Sequence, residues 1–253
     1  MSVAIVTGAS RGLGEALAVG LARAGWSLVI DGRDRPSLDA AADLVRAQAP
    51  PGTHVVAIAG DITDEAHRHD LTGAAFDLGG LDLVVNNAGT LGASPLPSLG
   101  DYPLDELRVA FEVNVVAPLG LVQDALPLLL DAAHPRVLNI TSDAGVEPYE
   151  GWGGYGAGKA ALEHLGAVLA VEYPALTVWS VDPGDLRTVM HQAAFPGEDI
   201  SDRPEPASVV PAFVELITSD RPSGRYRAAD VVAAGSGGHA GVAGATGTNG
   251  LHS

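Results

Sequence analysis

The chain has 253 residues, of which 47% are hydrophobic, so it is long enough to bury one large core, as α/β proteins of this length commonly do. Its 14 Lys and Arg stand against 31 Asp and Glu, a formal net charge of −17, which repels polyanions and excludes nucleic acid as an expected partner. Cysteine is absent, which excludes disulfides, thiol nucleophiles and thiolate metal sites and is usual in a reducing compartment.

We expect no export signal at the N-terminus. No basic segment precedes the first apolar residues, which begin at Val3, and we expect no apolar stretch long enough to span a bilayer. We therefore predict a cytoplasmic protein with no membrane partner.

Short apolar runs alternate with helical patterns along the chain. The β-branched runs predict strands at residues 3–7, 26–31, 55–59, 81–86, 136–141 and 177–182. Helical spacing predicts a helix through Leu13, Leu17 and Leu21, and further helices at 38–49, 104–130 and 155–172. Residues 213–217 and 225–232 are expected to add a last helix and an edge strand. Such alternation predicts one α/β domain with a seven-stranded, mostly parallel sheet and helices on both faces.

The domain is expected to end at residue 232. Residues 233–253 are mostly Gly, Ala, Ser and Thr, and they have too few large apolar side chains to offset the entropy lost on ordering. We therefore divide the chain into a folded domain, 1–232, and a disordered Gly-rich C-terminal tail, 233–253. A segment that binds a partner or covers the site is the alternative interpretation of the tail.

A glycine-rich turn follows the first predicted strand and precedes the first predicted helix. At such a place, backbone N–H groups and the helix dipole bind phosphate, and glycines let the backbone come close to it. The spacing is GxxxGxG, which on its own also fits a simple turn. In this context it predicts a dinucleotide site, with the loop ligands Gly8, Ser10, Arg11, Gly12, Leu13 and Gly14.

The second predicted strand ends where dinucleotide folds recognise the adenosine ribose. Asp31 and Arg33 both occur there: a carboxylate would bind the 2′-hydroxyl of NAD, and a guanidinium would pair with the 2′-phosphate of NADP. Because Arg11 supplies a second cation, we predict NADP(H) and keep NAD(H), bound through Asp31, as the alternative. Asp61 and Ile62, after the third strand, are predicted to contact the adenine.

Tyr155 and Lys159 lie four residues apart in a predicted helix, so their side chains share one face. A nearby ammonium lowers the pKa of a phenol, and Tyr155 is therefore expected to serve as a general acid and base. Ser142 ends the preceding strand, at the sheet edge where ligands bind, and its hydroxyl is expected to position a substrate oxygen. Taken singly, these residues also fit a surface pair and a helix cap.

Residues 3–232 resemble the classical short-chain dehydrogenases/reductases. Five motifs occur in that family's order: the glycines Gly8, Gly12 and Gly14; Asn86-Asn87-Ala88-Gly89; Ser142; Tyr155 with Lys159; and Pro183-Gly184. The resemblance implies a single Rossmann-type, doubly wound domain and a hydride transfer between NADP(H) and a small carbonyl or alcohol substrate. It adds Asn114 to Ser142, Tyr155 and Lys159 as the catalytic group, with Asn114 holding a water that relays protons to Lys159.

The resemblance also implies further cofactor contacts and an assembly. The additional cofactor residues are Asn86, Ala88, Gly89, Tyr155, Lys159, Pro183, Gly184, Leu186 and Thr188. The family's acidic ribose position falls on Gly32, with Arg33 next, which is similar to the NADP-preferring pattern. Family members are usually homodimers or homotetramers that pack through the helix after Gly89 and the helix carrying Tyr155.

Three other functions stay open. They are an NAD(H)-dependent dehydrogenase of the same family, a non-catalytic dinucleotide-sensing protein with the same fold, and an epimerase or dehydratase that uses bound NAD. A pure sensor has no need of the pair Tyr155 and Lys159, and 253 residues leave no room for a domain that binds a sugar nucleotide.

The loop residues near the predicted site are ambiguous. His191 and Phe195 lie in the region that shapes the substrate pocket in the family, and Tyr149 and Trp152 are either an aromatic pocket wall or a packed loop. The eight histidines form no cluster with ligand spacing, so we predict no metal. The sequence does not specify the substrate.

Overall fold

The computed structural model describes residues 2–235, with only the backbone for the last four. Its strands are β1 Val3–Val6, β2 Ser27–Gly32, β3 Val55–Ala59, β4 Leu83–Asn86, β5 Arg136–Ile140, β6 Thr177–Asp182 and β7 Gly224–Arg227. They form one parallel sheet in the order β3-β2-β1-β4-β5-β6-β7. The predicted seven-stranded α/β domain is therefore confirmed.

The α-helices of the described residues lie on both faces of this sheet. They are α1 Gly12–Arg23, α2 Arg35–Gln48, α3 Glu65–Asp77, α4 Leu104–Phe111, α5 Ala117–Asp131, α6 Gly153–Glu172, α7 Val189–Ala194, α8 Val210–Thr218 and α9 Ala228–Gly235. A π-helical turn, Glu112–Val116, joins α4 to α5. Local side chains begin α2 and α3: Asp34 accepts a hydrogen bond from the N–H of Ser37, and Asp64 accepts one from the N–H of Ala66.

Two large hydrophobic clusters lie on opposite faces of the sheet. Successive side chains of a strand point to opposite faces, so Ala4 and Val6 pack with α1, α2 and α8, whereas Val3 and Ile5 pack with α3, α5 and α6. The strand order reverses beside β1, which pairs with β2 on one side and β4 on the other. A crevice forms at the carboxyl ends of the strands where the order reverses.

Three elements differ from the prediction. Helix α3 was not predicted, because its buried residues His67, Leu71, Thr72 and Ala75 include two polar side chains and give no clear apolar stripe. The short α7 was also not predicted. The predicted edge strand at 225–232 is wrong in its second half, since β7 ends at Arg227 and α9 packs onto α8. Residues 233–235 of the predicted tail end α9, and 236–253 lie outside the described residues.

The expectation about apolar length is also wrong. Residues 104–131 form a helical segment of 28 residues with a mean hydropathy of 1.6, long and apolar enough by composition to cross a membrane. Its inner face, with Leu121 and Leu129, belongs to the core against β1 and β4. Asp124 on the same segment pairs with Arg68 of α3 at 3.3 Å. Packing in the core explains the apolar composition.

Candidate active site

A cavity of about 1240 Å³ lies along the carboxyl ends of the strands. Its walls come from the segments that follow β1 to β6 and from α7. In open parallel sheets this crevice is the usual ligand site. The volume accommodates a dinucleotide and a small second molecule.

The glycine loop after β1 is tied to the segment after β4. The hydroxyl of Thr7 accepts hydrogen bonds from the backbone N–H groups of Asn87 and Ala88, both at 3.0 Å, and the amide of Asn87 donates to the carbonyl of Thr7 at 2.8 Å. Gly8 has a φ of +65°, and a Cβ there would lie 2.9 Å from Cα of Ala88. A side chain at Gly8 is thus excluded both by backbone conformation and by space.

Asp31 supports the glycine loop. One carboxylate oxygen accepts the N–H of Gly8 at 2.6 Å, and the other lies 3.1 Å from Nε2 of His67 on α3. Only 3% of the Asp31 side chain is exposed. Asp31 also lines the cavity, and the ribose contact of the NAD(H) alternative stays a prediction.

Arg11 and Arg33 border the same end of the cavity. Within residues 2–235, neither guanidinium has a hydrogen-bond or ion-pair partner. Ser10 packs over Gly32, where an added Cβ would lie 2.9 Å from Cβ of Ser10, so an acidic side chain at position 32 would displace Ser10. This end of the cavity therefore has two guanidinium groups without a hydrogen-bond partner among the described residues, and the carboxylates of Asp31, Asp34 and Asp61 line it as well.

Asp61 and Ile62 line the cavity beyond this point. The carboxylate of Asp61 accepts the N–H and the hydroxyl of Thr63 at 3.0 and 2.8 Å. These bonds, with smaller contributions from Arg33 and His67, lower the pKa of Asp61. An ionised acceptor beside a nearly buried isoleucine fits the predicted adenine contact.

Tyr155 and Lys159 are buried together near the start of α6, with 8% and 3% of each residue exposed. Nζ of Lys159 lies 5.5 Å from the centre of the Tyr155 ring. The ammonium donates a hydrogen bond to the carbonyl of Ile140 at 2.8 Å, at the end of β5. Helical spacing and this bond together hold the two side chains in one site.

Ser142 follows β5 and faces the same cavity. Its hydroxyl accepts the N–H of Ala144 at 3.2 Å and donates to the carboxylate of Asp143 at 2.9 Å. The other oxygen of Asp143 accepts the hydroxyl of Tyr149 at 3.0 Å. Ser142 therefore caps a short 3₁₀ helix, Asp143–Gly145, and its hydroxyl lines the same cavity as Tyr155.

Asn114 is buried in the π-helical turn, near Lys159. Such turns are often found at functional sites. Its amide donates to the carbonyl of Thr90 at 2.8 Å and accepts the N–H of Thr90 at 2.9 Å. A Cβ on Gly89 would lie 3.1 Å from Oδ1 of Asn114 and 3.7 Å from Nζ of Lys159. The water relay through Asn114 stays a prediction.

The pKa of Tyr155 does not show the lowering expected from Lys159 alone. Burial raises the pKa of Tyr155, and the negative charges of Asp182 and Asp143 raise it further. Burial lowers the pKa of Lys159 to about 8, against an opposing effect of Glu163. Loss of water and the surrounding carboxylates therefore outweigh the effect of the ammonium on the phenol.

Arg225 of β7 connects several parts of this site. Its Nε donates to Glu163 at 3.1 Å, and its Nη2 donates to the carbonyl of Ser142 at 3.2 Å and to Asp182 at 3.3 Å. Glu163 also accepts the hydroxyl of Thr141. The guanidinium thus joins the ends of β5 and β6 to α6, one turn beyond Lys159.

The structure brings most of the predicted residues together. The cavity is lined by Gly8, Ser10, Arg11, Gly12, Leu13, Gly14, Arg33, Asp61, Ile62, Ala88, Gly89, Ser142, Tyr155, Lys159, Pro183, Gly184, Leu186 and Thr188. Asn86 is not among the lining residues, because its side chain donates to Asn139 at 2.8 Å inside the sheet. Asn87, one residue on, lines the cavity instead, and the identical dipeptide gives no local signal to separate the two.

Several residues that shape the site were not predicted. They are Thr7, His67, Asp143, Glu163 and Arg225. Each acts through a partner distant in sequence or through a local turn without a distinctive motif. Within residues 2–235 no group of three or more His, Cys, Asp or Glu side chains has metal-ligand geometry, and the expectation of no metal stays a prediction.

The family is decided by comparison with known proteins. A family model described as short chain dehydrogenase matches residues 2–199. The chain belongs to this family. Among relatives of this short-chain dehydrogenase, sepiapterin reductase of Mus musculus is 37% identical over 203 residues, covering 76% of this chain and 77% of that protein. An uncharacterized oxidoreductase of Staphylococcus epidermidis is 33% identical over 199 residues, covering 78% and 83%.

Solved structures agree with this assignment. A Shigella flexneri chain crystallised with NADP has a TM-score of 0.83 and 30% identity, covering 90% of this chain and 97% of that one. An Escherichia coli CFT073 chain crystallised with NADPH has a TM-score of 0.81 and 31% identity, covering 90% and 96%. The protein is thus an oxidoreductase of the short-chain dehydrogenase family with that family's Rossmann-type fold.

Proposed function

We propose that this short-chain dehydrogenase is an NADP(H)-dependent oxidoreductase that interconverts a carbonyl compound and its alcohol, with Tyr155 as acid and base. One observation carries the proposal. A single cavity contains Ser142, Tyr155 and Lys159 at one end and the unpaired guanidinium groups of Arg11 and Arg33 at the other.

The residues present fit a dinucleotide with a 2′-phosphate. Arg11 and Arg33 would pair with that phosphate, because guanidinium groups bind phosphate bidentately. The N-terminus of α1 and the glycine loop would hold the pyrophosphate, and Gly184 and Thr188 would border the nicotinamide. When bound, the cofactor supplies a hydride to the substrate or accepts one from it. The two solved relatives that contain NADP or NADPH support this choice of cofactor.

The chain's own part in the reaction is proton transfer and orientation. In reduction, the carbonyl carbon takes up a hydride while Tyr155 donates its proton to the carbonyl oxygen; in oxidation, the phenolate takes that proton back. Ser142 orients the substrate oxygen by a hydrogen bond that replaces the one its hydroxyl donates to Asp143. The raised pKa of Tyr155 keeps the phenol protonated before reduction, and the ammonium of Lys159 stabilises the phenolate that forms.

Cofactor preference is tested by fluorescence titration with NADPH and NADH. We expect wild type to bind NADPH more tightly, and Arg33→Ala to lose about tenfold or more in NADPH affinity with little change for NADH, because a charge-assisted hydrogen bond contributes roughly 1.5–3 kcal/mol. Arg46→Ala is the matched control, since Arg46 lies on an exposed part of α2 and pairs with Asp43. An NADH preference in wild type would contradict the proposed cofactor.

Proton transfer is tested by turnover of a ketone panel with Tyr155→Phe. We expect the rate to fall by about 10²–10⁴-fold, the usual contribution of a general acid, while NADPH binding is retained. Tight NADPH binding with no Tyr155-dependent turnover on any carbonyl compound would favour the dinucleotide-sensing protein.

A further inference from the structure

Aromatic rings surround Tyr155 at the substrate end of the cavity. The ring of Trp152 meets that of Tyr155 edge to face, with centroids 5.7 Å apart and planes at 69°. Phe195, directly after α7, lies 5.9 Å from Trp152 and 4.9 Å from the imidazole of His191. All four rings line the cavity, and their spacings are those at which aromatic rings attract one another.

Aliphatic side chains complete this wall. Leu91 and Ala194 are buried in one cluster with Tyr155, and Leu96, Trp152 and Phe195 pack against it. Nε2 of His191 is sealed from solvent and has no hydrogen-bond partner within residues 2–235. Apart from this nitrogen, the wall that packs against Tyr155 is apolar, and a flat ring placed against it would replace contacts with water by contacts with other rings.

The charges at this end are unfavourable for an anion. Asp182 is paired with Arg225, and Asp185 lies 3.7 Å from Nε of Arg203. Asp143 accepts hydrogen bonds only from the neutral groups of Ser142, Ala144 and Tyr149, and no described cation pairs with it. Its carboxylate therefore lies beside the hydroxyl that would hold the substrate oxygen.

The ammonium of Lys159 does not offset this charge for an incoming anion. It is buried behind the phenol and donates to the carbonyl of Ile140. Arg11 and Arg33, the free guanidinium groups of the cavity, lie at the opposite end, beside the glycine loop and the end of β2. A carboxylate or phosphate on the substrate would consequently face Asp143 without a free cation nearby.

We infer that the substrate is an uncharged carbonyl compound whose carbonyl carbon is attached to an aromatic ring. The inference rests on the proposed function and specifies the substrate class of the same site. Trp152 and Phe195 are the specificity residues for the ring, and Asp143 rejects carboxylate- and phosphate-bearing compounds such as 2-oxo acids and acyl carriers.

The test of the ring uses acetophenone and cyclohexyl methyl ketone, which share one carbon skeleton. We expect wild type to favour acetophenone in kcat/KM by about tenfold, since the rings of Trp152 and Phe195 attract an aromatic ring more strongly than a saturated one. Phe195→Leu and Trp152→Leu should each remove most of that ratio. Phe76→Leu is the control, because Phe76 is 67% exposed on α3, and it should keep the wild-type ratio.

The test of the charge uses phenylglyoxylate and its methyl ester. The ester should be favoured by about tenfold or more, and Asp143→Asn should narrow the difference because it removes the carboxylate that repels the anion. Equal use of acid and ester by wild type would overturn the charge part of the inference.

Binding is measured separately from turnover, by calorimetry of the four compounds with the enzyme–NADP⁺ complex. Selective binding of the aryl ketone without turnover would contradict the proposed function and would support the inference about the substrate class. Tyr155-dependent turnover with no preference for the aromatic ring, in binding or in rate, would overturn the inference and leave the proposed function standing.

Discussion

At the scale of single residues, burial moves the pKa values of Tyr155 and Lys159 in opposite directions. Both changes favour the neutral form: the phenol holds its proton more tightly, and the ammonium releases its proton at about pH 8. The charged form of Lys159 is therefore destabilised in the folded protein. For this reason the free energy of unfolding depends on pH.

We predict that Lys159 makes the free energy of unfolding increase as the pH rises from about 8 to about 10. The unfolded lysine keeps its proton up to about pH 10.4, so in this window the unfolded state binds more protons, and the free energy of unfolding increases with pH. Urea unfolding of wild type and of Lys159→Met at several pH values measures this contribution to the free energy of unfolding. The difference between them should shift in favour of wild type by roughly 1 kcal/mol per pH unit from pH 8 to 9.5, and a constant difference would contradict the prediction.

Asp31 supplies a second prediction at this scale. In Asp31→Ala the N–H of Gly8 and the ring of His67 lose their partner, so we expect a loss of about 1–3 kcal/mol in the free energy of unfolding. NADPH and NADH should both bind more weakly, by similar factors, because the loop that holds the shared pyrophosphate is loosened. Asp31→Asn keeps an acceptor for Gly8 and is the control.

The opposite outcome for Asp31 is equally clear. If Asp31→Ala weakens NADH alone in fluorescence titrations and leaves NADPH unchanged, then Asp31 binds a ribose hydroxyl, and its bond to Gly8 is not its main role.

At the scale of elements, the edge strand β7 supports the ends of β5 and β6 and the helix α6 through Arg225. Removing this guanidinium leaves Glu163 without its cation and leaves the buried Asp182 with only the more distant Arg227, whose Nε is 4.0 Å away. A carboxylate left in this way is strongly destabilising when fully buried and less so when water reaches it.

We predict that Arg225→Met lowers kcat by about tenfold, with a smaller change in KM. Misplacing reacting groups slows the chemistry more than it weakens binding. The pH at which the oxidation rate rises should also increase, since the charge of Asp182, with only Arg227 left beside it at 4.0 Å, raises the pKa of Tyr155 further. Arg225→Lys, which keeps the charge, should restore part of the rate. Arg46→Met is the surface control, and equal effects of both Met variants would contradict a positioning role.

For the folded protein as a whole, the homo-oligomer stays a prediction, and exposed apolar side chains indicate where it would form. Large apolar side chains are exposed on α4, on the π-helical turn and on α5 and α6, at Leu104, Val109, Val116, Leu130, Val168 and Val171. Contiguous exposed apolar surface is typical of interfaces between subunits. The net charge of −17 opposes association, so an assembly would depend on this surface.

We predict a dimer or tetramer in sedimentation experiments at physiological salt. The double variant Val116→Glu with Val171→Glu should lower the assembly by at least one step, because it places carboxylates in an apolar contact. Leu44→Glu is the control, since Leu44 is exposed on α2. A monomeric wild type, or an unchanged assembly in the double variant, would show that this surface is not the interface.

Features that depend on residues close together in the chain could be predicted from the sequence, whereas features that depend on distant residues could not. The pair Tyr155 and Lys159 follows from the helical period, and the glycine loop follows from the turn between β1 and α1. Helix α3 escaped prediction because part of its buried face is polar, and its His67 packs against Asp31 across 36 positions of sequence. The choice between Asn86 and Asn87 also escaped, since it depends on which residue ends β4 and which begins the loop.

The family resemblance, the alternation of strands and helices and the chemical groups of the site could be predicted from the amino-acid sequence, because these depend on local backbone geometry and on residue types at short spacing. Three features became visible only in the folded protein: Asp31 holds the glycine loop, Arg225 reaches Ser142, and the pKa of Tyr155 rises. All three have the same cause. Hydrogen-bond partners and loss of water are set by which segments the sheet order brings together, and that order joins residues far apart in the chain.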